Sequence, residues 1–507
     1  MSRSRVAPVI IVLMLAGARL YDEADATGRV SLVKHFTPAD RASGRYQYVP
    51  FDVLPGAQRL KISYEYDKAN GENTVDLGLF EPGSTEIGTR AFRGYSGGSK
   101  PSVTITEDEA TPGYRPGRIP PGRWHVLLGL YRVRETGVDV SITIETDAQP
   151  PARNDRTLTS GQLQSSPPAS SASARGPGEL RRDRAGAAVG REGGPAPPGP
   201  RWFLGALHTH TVHSDGTLTP AALMQRFDAL GFDFVVITDH NNTTHRREMK
   251  EYSAAHPRPL WIAGEEVTTP NGHASVWGLD DNEWVDFRVK AGEEPGIADL
   301  VSSARRFGAL FSINHPASTC VGCGWEHPVP KEVSAIEISN GRHGEVAGAL
   351  ARWDGLLKSG HELTGVGSSD WHADPNPIDV ANVRVMAMSL GETAILNAIA
   401  AGRVIVMNGA SWKTPEITAE IGSQIATVGG ILRLSGGTSI AVAIAADDLP
   451  GGRVTTVING ETIGETTLDA QGRVRWQQSV TPGYVRFELR AADGSLVAIA
   501  NPIRLRR

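Results

Sequence analysis

The chain has 507 residues, 40% of them hydrophobic and 21% charged, with a formal net charge of −5. That length allows two to four domains with sizeable cores, and the charge leaves no global basic excess to draw the protein to nucleic acid or anionic membranes. Its two cysteines, Cys320 and Cys323, are too few for a four-thiolate zinc site.

The N-terminus reads as a secretory leader. Arg3 and Arg5 precede an apolar run from Val6 to Ala18 that is too short to span a bilayer as a helix. Ala16-Gly17-Ala18 has the small-x-small form of a cleavage site, and Ala24-Asp25-Ala26 is a second candidate. Residues 1–26 are therefore expected to be leader, and the mature protein to be exported, periplasmic or secreted, with no transmembrane segment. In an exported protein the Cys320-x-x-Cys323 spacing suits a local disulfide, with free thiols as the alternative.

Residues 27–147 read as a β-sandwich. Leu60–Tyr66, Thr74–Phe80, Ser102–Thr106, Trp124–Tyr131 and Val138–Thr146 alternate or are rich in β-branched and aromatic residues, punctuated by Gly, Pro and Asn. Residues 148–200 hold nine prolines, eight glycines and no aromatic residue. Such a segment buries too little apolar surface to offset its ordering entropy, so a disordered linker is expected. Residues 201–410 alternate strand and helix signals, with helices expected from Thr219-Pro220 to Leu230, Ile297–Phe307, Val346–Leu357 and Glu392–Ala401. Alternation of this kind implies a parallel sheet or barrel, whose active site lies at the C-terminal strand ends. Residues 411–507 return to strands at Ser439–Ala445, Val454–Asn459, Arg473–Ser479 and Val485–Arg490, which suggests an Ig-like β-sandwich.

Chemistry is concentrated in the third of these segments. Six apolar runs, Phe203–His208, Phe232–His240, Leu260–Glu266, Leu310–His315, Ala335–Ser339 and Leu363–Asp370, each end in or beside a residue able to bind a metal or a substrate. His208 and His210 are two apart, so on a strand both imidazoles face one side. Asp215 follows in a Ser-Asp-Gly turn, His240 ends an apolar strand, and Glu265 and Glu266 end the next. His273 follows a Pro-Asn-Gly turn, His315 follows Ile313-Asn314, and Asp370 and His372 flank Trp371. A single histidine is more often structural than a ligand. Twelve of the chain's fourteen histidines nevertheless fall between 208 and 372, and that concentration at strand ends points to a metal cluster.

These motifs, His-x-His with Ser-Asp-Gly, then Thr-Asp-His, Gly-Glu-Glu-Val, Asn-His-Pro and Ser-Asp-Trp-His, resemble the PHP (polymerase and histidinol phosphatase) superfamily. Within it they are similar to the CehA/McbA-type metallohydrolases, the branch named after carbaryl hydrolase. Phe92-Arg93-Gly94 and Trp124-His125-Val126-Leu127-Leu128 resemble the same branch more weakly. The resemblance implies a central distorted (β/α)7 PHP barrel, flanked here by the two β domains, and two to three divalent ions (Zn, Mn or Fe). It implies that His208, His210, Glu266 and Asp370 hold one ion. Glu266 would bridge to a second with His273 and His315, and Asp215, His240 and His372 would hold a third. The sequence departs from the family's Asp-Leu-His at Ala206, which removes a group that could orient an imidazole and so implies a weaker metal site.

The expected reaction is hydrolysis by a metal-activated water. His213 and Asp239 are candidate catalytic groups beside that water, and Asn340, Arg342 and His343 are candidate substrate contacts. A small-molecule ester is the expected substrate. Phosphoester hydrolysis is the first reading; carbamate or carboxylic ester hydrolysis, with an aromatic pocket around Trp277, Trp325 and Trp371, is the alternative. An exported binding protein with a non-catalytic barrel is a third. Oligomeric state is left open.

Overall fold

The computed structural model describes residues 29–147, 199–280, 283–289, 292, 296–434 and 439–507. The leader expected over residues 1–26 and nearly all of the linker expected over 148–200 lie outside these residues.

The N-terminal unit is two antiparallel four-stranded sheets. One runs Arg29–Phe36, Val138–Thr146, Arg59–Tyr66, Ser102–Thr106; the other runs Tyr46–Val53, Gly122–Arg132, Thr74–Phe80, Phe92–Tyr95. Alternation along each strand sends one set of side chains inward, and Ile62, Val103, Val140, Val75, Leu77, Val126 and Leu128 share one buried core. Each such side chain contributes about 1.5–3 kcal/mol on burial. The second sheet's other face is also apolar. Its Phe80, Phe92, Tyr95 and Leu127 join a core with Trp284 and Phe287 of the central unit, with Phe92–Trp284 and Tyr95–Phe287 ring centroids each 4.6 Å apart.

In the central unit six strands run parallel: Arg201–Ala206, Phe234–Ile237, Leu260–Thr269, Leu310–Ile313, Ala335–Asn340 and Thr364–Ser368. A seventh, Gly272–Trp277, lies antiparallel between the third and fourth. Phe234–Ile237 is buried at every position, which accounts for its unbroken apolar run. The chain beyond the sixth strand returns to the first: Thr209 bridges Trp371 in parallel, and Ser368 Oγ accepts from His208 N at 2.8 Å while donating to His208 O at 2.9 Å. Helices intervene between strands. In Pro220–Ala229, Thr219 caps the start by accepting from Ala222 N at 3.2 Å, Pro220 occupies the first turn, and Leu223, Met224 and Phe227 are buried. Among the described residues no helix is long and apolar enough to cross a membrane.

The C-terminal unit packs the sheet Gln424–Thr427, Glu416–Ile421, Ser439–Ala445, Arg473–Ser479 over one built from Leu496–Ala500, Gly483–Arg490, Arg453–Ile458 and Glu461–Thr467. This second sheet is continuous with the central unit. Val404–Met407 pairs with Asn382–Ala387 on one side and Leu496–Ala500 on the other, and Ile405 and Met407 sit in the C-terminal core. Arg486, 3% exposed at its side chain, binds Asp354 of helix Val346–Lys358 at 2.6 Å. The C-terminal unit is thus keyed to the central one by a shared sheet and a buried ion pair.

Candidate metal centre

All nine residues expected as ligands converge where the parallel strands end. His208 and His210 extend the first strand with the same facing, both fully buried, and their Nε2 atoms lie 3.0 Å apart. Asp370, beyond the sixth strand, places Oδ1 3.3 Å from His208 Nε2 and 3.2 Å from His210 Nε2. Glu266 sits at the middle of the cluster. Its Oε1 is 3.2 Å from His208 Nε2, 3.3 Å from His273 Nδ1 and 3.3 Å from His315 Nε2, and its Oε2 is 2.7 Å from His240 Nδ1. Asp215 Oδ1 lies 3.3 Å from His372 Nε2, 3.6 Å from His240 Nε2 and 3.9 Å from His210 Nδ1. Strand alternation settles the choice between the two glutamates: Glu265 points away, its Oε2 accepting from Val285 N at 3.0 Å.

The Ser-Asp-Gly turn brings Asp215 back over the histidines. Gly216 N donates to Thr211 O at 2.9 Å, and a Cβ at Gly216 would collide with the His210 carbonyl. Asp239 organises the same turn. Its Oδ1 accepts from Thr211 N and Ser214 Oγ, both at 2.8 Å, and its Oδ2 accepts from Thr211 Oγ1 at 2.7 Å and lies 3.0 Å from His245 Nδ1. With both oxygens engaged and no exposure, Asp239 is a positioning residue.

The donors fit divalent metal. In a tetrahedral site with bonds of about 2.0–2.1 Å, neighbouring ligand atoms are roughly 3.3 Å apart, and the 3.0–3.5 Å separations among His208, His210, Glu266 and Asp370 match. Nε2 of His273 and Nδ1 of His315 are buried without a hydrogen bond, as ligand atoms reserved for an ion are. Five overlapping groups offer ligand atoms mutually within 4.8 Å: His210/Asp215/His240/His372, His208/Glu266/His315, His208/His210/Asp370, His240/Glu266/His273 and His315/His343/Asp370. Access is from the Asp215 side, where that side chain is 40% exposed and His240 23%.

Charge within the cluster is strongly coupled. Burial drives the His208 imidazole toward neutrality, but Asp370, Glu266 and Glu337 outweigh it and hold the ring well above the ordinary histidine range. His240 follows the same logic, burial opposed by Glu266 and Asp215, and reaches about 9. His210 falls to about 3 through burial and the neighbouring His372 and His240, and burial takes His273 to about 4. Burial raises Glu266 and Asp370, yet the facing histidines hold both well below the carboxylate range. Protons on imidazole thus balance the carboxylates, and metal binding displaces protons from such a set.

Two residues absent from the expected site belong to it. Glu337, 2% exposed, places Oε1 2.9 Å from His208 Nδ1, while its Oε2 accepts from His315 N at 2.7 Å and Asn340 Nδ2 at 3.0 Å. It therefore supplies an imidazole-orienting carboxylate for His208 from the fifth parallel strand, away from the position of Ala206. A glutamate flanked by Ile336 and Ile338 in a buried strand was the available signal. His245 is the second, fully buried against Asp239.

Of the expected substrate contacts, Asn340 has both polar ends engaged: Nδ2 binds Glu337, and Oδ1 accepts from the backbone N–H of Arg342 and His343 at 2.9 Å. It shapes the loop that presents His343, whose Nε2 is 3.4 Å from Asp370 Oδ2 and which joins a candidate ligand group. Arg342 is exposed. His213 turns its ring to Thr244 Oγ1 at 2.8 Å and Glu248 Oε2 at 3.4 Å. The N-terminal unit reaches the rim of the site: Ser99 Oγ donates to Ser214 O at 3.0 Å, Gly113 N to His213 Nδ1 at 3.3 Å, and Tyr131 Oη to Val321 O at 3.2 Å. Near that last contact Cys320 and Cys323 are joined as a disulfide.

No protein-family model matches the chain, and no curated protein matches it. Among solved structures it is similar to a two-domain protein from Bacteroides vulgatus ATCC 8482, described as containing a predicted PHP-like metal-dependent phosphoesterase, at 18% identity and a TM-score of 0.37 over 62% of this chain and 100% of that one. A putative metal-dependent phosphoesterase from Bifidobacterium adolescentis ATCC 15703 is similar at 16% identity and TM-score 0.27, over 34% of this chain and 90% of that one. An amidohydrolase from Chromobacterium violaceum is similar at 18% identity and TM-score 0.26, over 34% of this chain and 89% of that one.

Proposed function

We propose that the protein is a metal-dependent hydrolase of the PHP superfamily, that its seven central strands form a distorted (β/α)7 barrel, and that the cluster holds two to three divalent ions. The carrying observation is the set of five overlapping His/Asp/Glu groups gathered at the strand ends, with Glu266 shared between two of them. Mixed imidazole and carboxylate donors suit Zn, Mn or Fe. Divalent ions held by these residues would supply Lewis acidity, lowering the pKa of water toward about 7 and offsetting negative charge on the ester. The protein's own part is to fix the donors. Glu337 orients His208, Asp239 holds the turn that carries Asp215, and Asn340 sets His343 beside Asp370.

Phosphoester is the substrate class we favour. The aryl-carbamate alternative asked for an open aromatic pocket around Trp277, Trp325 and Trp371, and these are 1%, 3% and 0% exposed. These three are core residues and present no exposed ring face to an aryl group. An exported location is in keeping with the basic start and the apolar run Val6–Ala18.

The test is a panel of p-nitrophenyl phosphate, bis-p-nitrophenyl phosphate, p-nitrophenyl acetate and 1-naphthyl N-methylcarbamate on metal-replete protein and on His210→Ala. Turnover of a phosphoester that the variant lacks is expected. Turnover of the carbamate alone would move the substrate class to the alternative. Equal rates in both proteins would remove His210 from the site, and purified protein that neither retains metal nor turns over any ester would sink the hydrolase reading.

A further inference from the structure

The N-terminal sandwich carries a cavity of about 1060 Å³, as large as the pockets that take drug-sized ligands. Its lining includes Arg59, Arg90, Arg93, Arg115 and Arg118 and none of the metal-cluster residues. Arg93 is structural: it binds Glu81 at 2.8 Å and the carbonyls of Arg115, Gly117 and Arg118 at 2.9–3.2 Å. Arg115 is different. Its guanidinium lies 5.0 Å over the Trp284 ring, and Nη2 is buried with no hydrogen-bond partner. Burial and the neighbouring Arg93 bring its pKa down to about 10, which leaves it charged at neutral pH. A buried guanidinium nitrogen without an acceptor is costly and rare in folded proteins.

No acid of the lining is bonded to that nitrogen. Glu81 is taken by Arg93, and Asp147 accepts from the backbone N–H of Gln58 and Arg59 at 2.8 and 3.0 Å. Against the carboxylates of Glu81, Glu107, Asp108 and Asp147 the lining sets five guanidiniums, an excess of one positive charge. Of these, Arg59, Arg90 and Arg118 are exposed.

We propose that this cavity binds an anionic small molecule carrying two or more sulfate, carboxylate or phosphate groups, anchored by Arg115 with Arg118, Arg90 and Arg59 around it. The planar guanidinium fork matches such oxyanions in two-bond geometry. Trp284 reports occupancy, because it stacks against Arg115 and its Nε1 donates to Asn241 O at 2.8 Å, one residue from His240.

The experiment is isothermal titration of the full chain with sodium sulfate, a trisulfated heparin disaccharide and, as neutral control, maltose, with tryptophan fluorescence followed in parallel. The sulfated disaccharide is expected to bind saturably and quench fluorescence, and maltose to do neither. Arg115→Gln should weaken binding by about tenfold or more. The surface double variant Arg90→Gln/Arg118→Gln, which leaves the core untouched, should weaken it severalfold, and His210→Ala should bind as wild type. No saturable binding of either sulfated probe, maltose binding as tightly as the disaccharide, or undiminished binding in both arginine variants would each overturn the proposal. Loss of binding in His210→Ala would do the same, by moving the anion to the metal cluster.

Discussion

Replacing Glu337 by Gln tests whether one carboxylate organises the metal cluster. The change keeps the side chain's size and removes its charge. Glu337 takes three buried contacts: His208 Nδ1 at 2.9 Å, His315 N at 2.7 Å and Asn340 Nδ2 at 3.0 Å. A glutamine has one acceptor oxygen. If it faces His315 and Asn340, its amide donors face His208, and the imidazole must accept at Nδ1 and carry its proton on Nε2. That nitrogen is the one aimed at His210, Glu266 and Asp370, so the ring presents a proton where a metal ligand needs a lone pair. If the glutamine turns over, the buried His315 N–H loses its acceptor, at a cost of about 1–3 kcal/mol. Either way metal affinity should fall about 10–100-fold, equivalent to about 1.4–2.8 kcal/mol. Competitive titration against a chromogenic chelator measures it directly. Wild-type metal affinity in a folded Glu337→Gln protein would refute the orienting role.

Other outcomes follow from the same geometry. His210→Ala should lower phosphoester turnover by about a hundredfold or more, while the variant's urea midpoint stays near that of metal-free wild type; a rate within a few-fold of wild type would exclude His210 as a ligand. Asp239→Asn should destabilise by about 1–3 kcal/mol, because four contacts meet one carboxylate, as read by urea denaturation; an unchanged midpoint would show that the turn holds without it. Burial raises the Glu265 carboxyl well above its ordinary range, so folding favours its protonated form, and the stability this lends is full below the unfolded pKa and lost as pH rises toward the folded one. Glu265→Gln should therefore be more stable than wild type at pH 8 and nearly equal at pH 4, and equal stability at both would refute the assignment. Stripping metal with a chelator should lower the melting temperature by about 5–10 °C if the free ion exceeds its dissociation constant a hundredfold, and a melting curve insensitive to chelator and to added Zn or Mn would count against a bound ion.

Much of the central unit was legible because its two signals are local. Fully buried parallel strands read as apolar runs, and ligands at strand ends interrupt them at once, as at Ile237-Thr238-Asp239-His240. Helix Pro220–Ala229 declared itself through Thr219-Pro220 and its buried Leu223, Met224 and Phe227. Helix His245–Ala255 did not, because only His245 and Met249 are buried and no apolar stripe exists to read. Gly272–Trp277 escaped notice as a strand because its six buried residues follow a tight Pro-Asn-Gly turn and run antiparallel inside a parallel set. The roles of Asn340, Asp239 and Glu337 depend on which side-chain atoms meet across the sheet, and no periodicity encodes that. The continuity of Val404–Met407 into the C-terminal sheet is likewise a long-range pairing, invisible to local pattern.

The backbone marks the same place that the side chains do. His315 has φ of 26° and Asp370 φ of 52°, both in the left-handed region that non-glycine residues seldom occupy. Such conformations cost of order 1–3 kcal/mol each and persist only where surrounding contacts over-determine them. Those contacts are identifiable here. Glu337 accepts the His315 N–H at 2.7 Å, and His210 N donates to Trp371 O at 3.0 Å, which fixes the chain just after Asp370. The strained peptides turn both side chains inward at strand ends, where an extended residue would continue along the strand. One carboxylate thus serves two ends: it orients the His208 ring and pins the His315 backbone. The pairing also explains why Glu337 lies buried among aliphatic neighbours in the middle of a strand, a position that would otherwise favour Val or Ile.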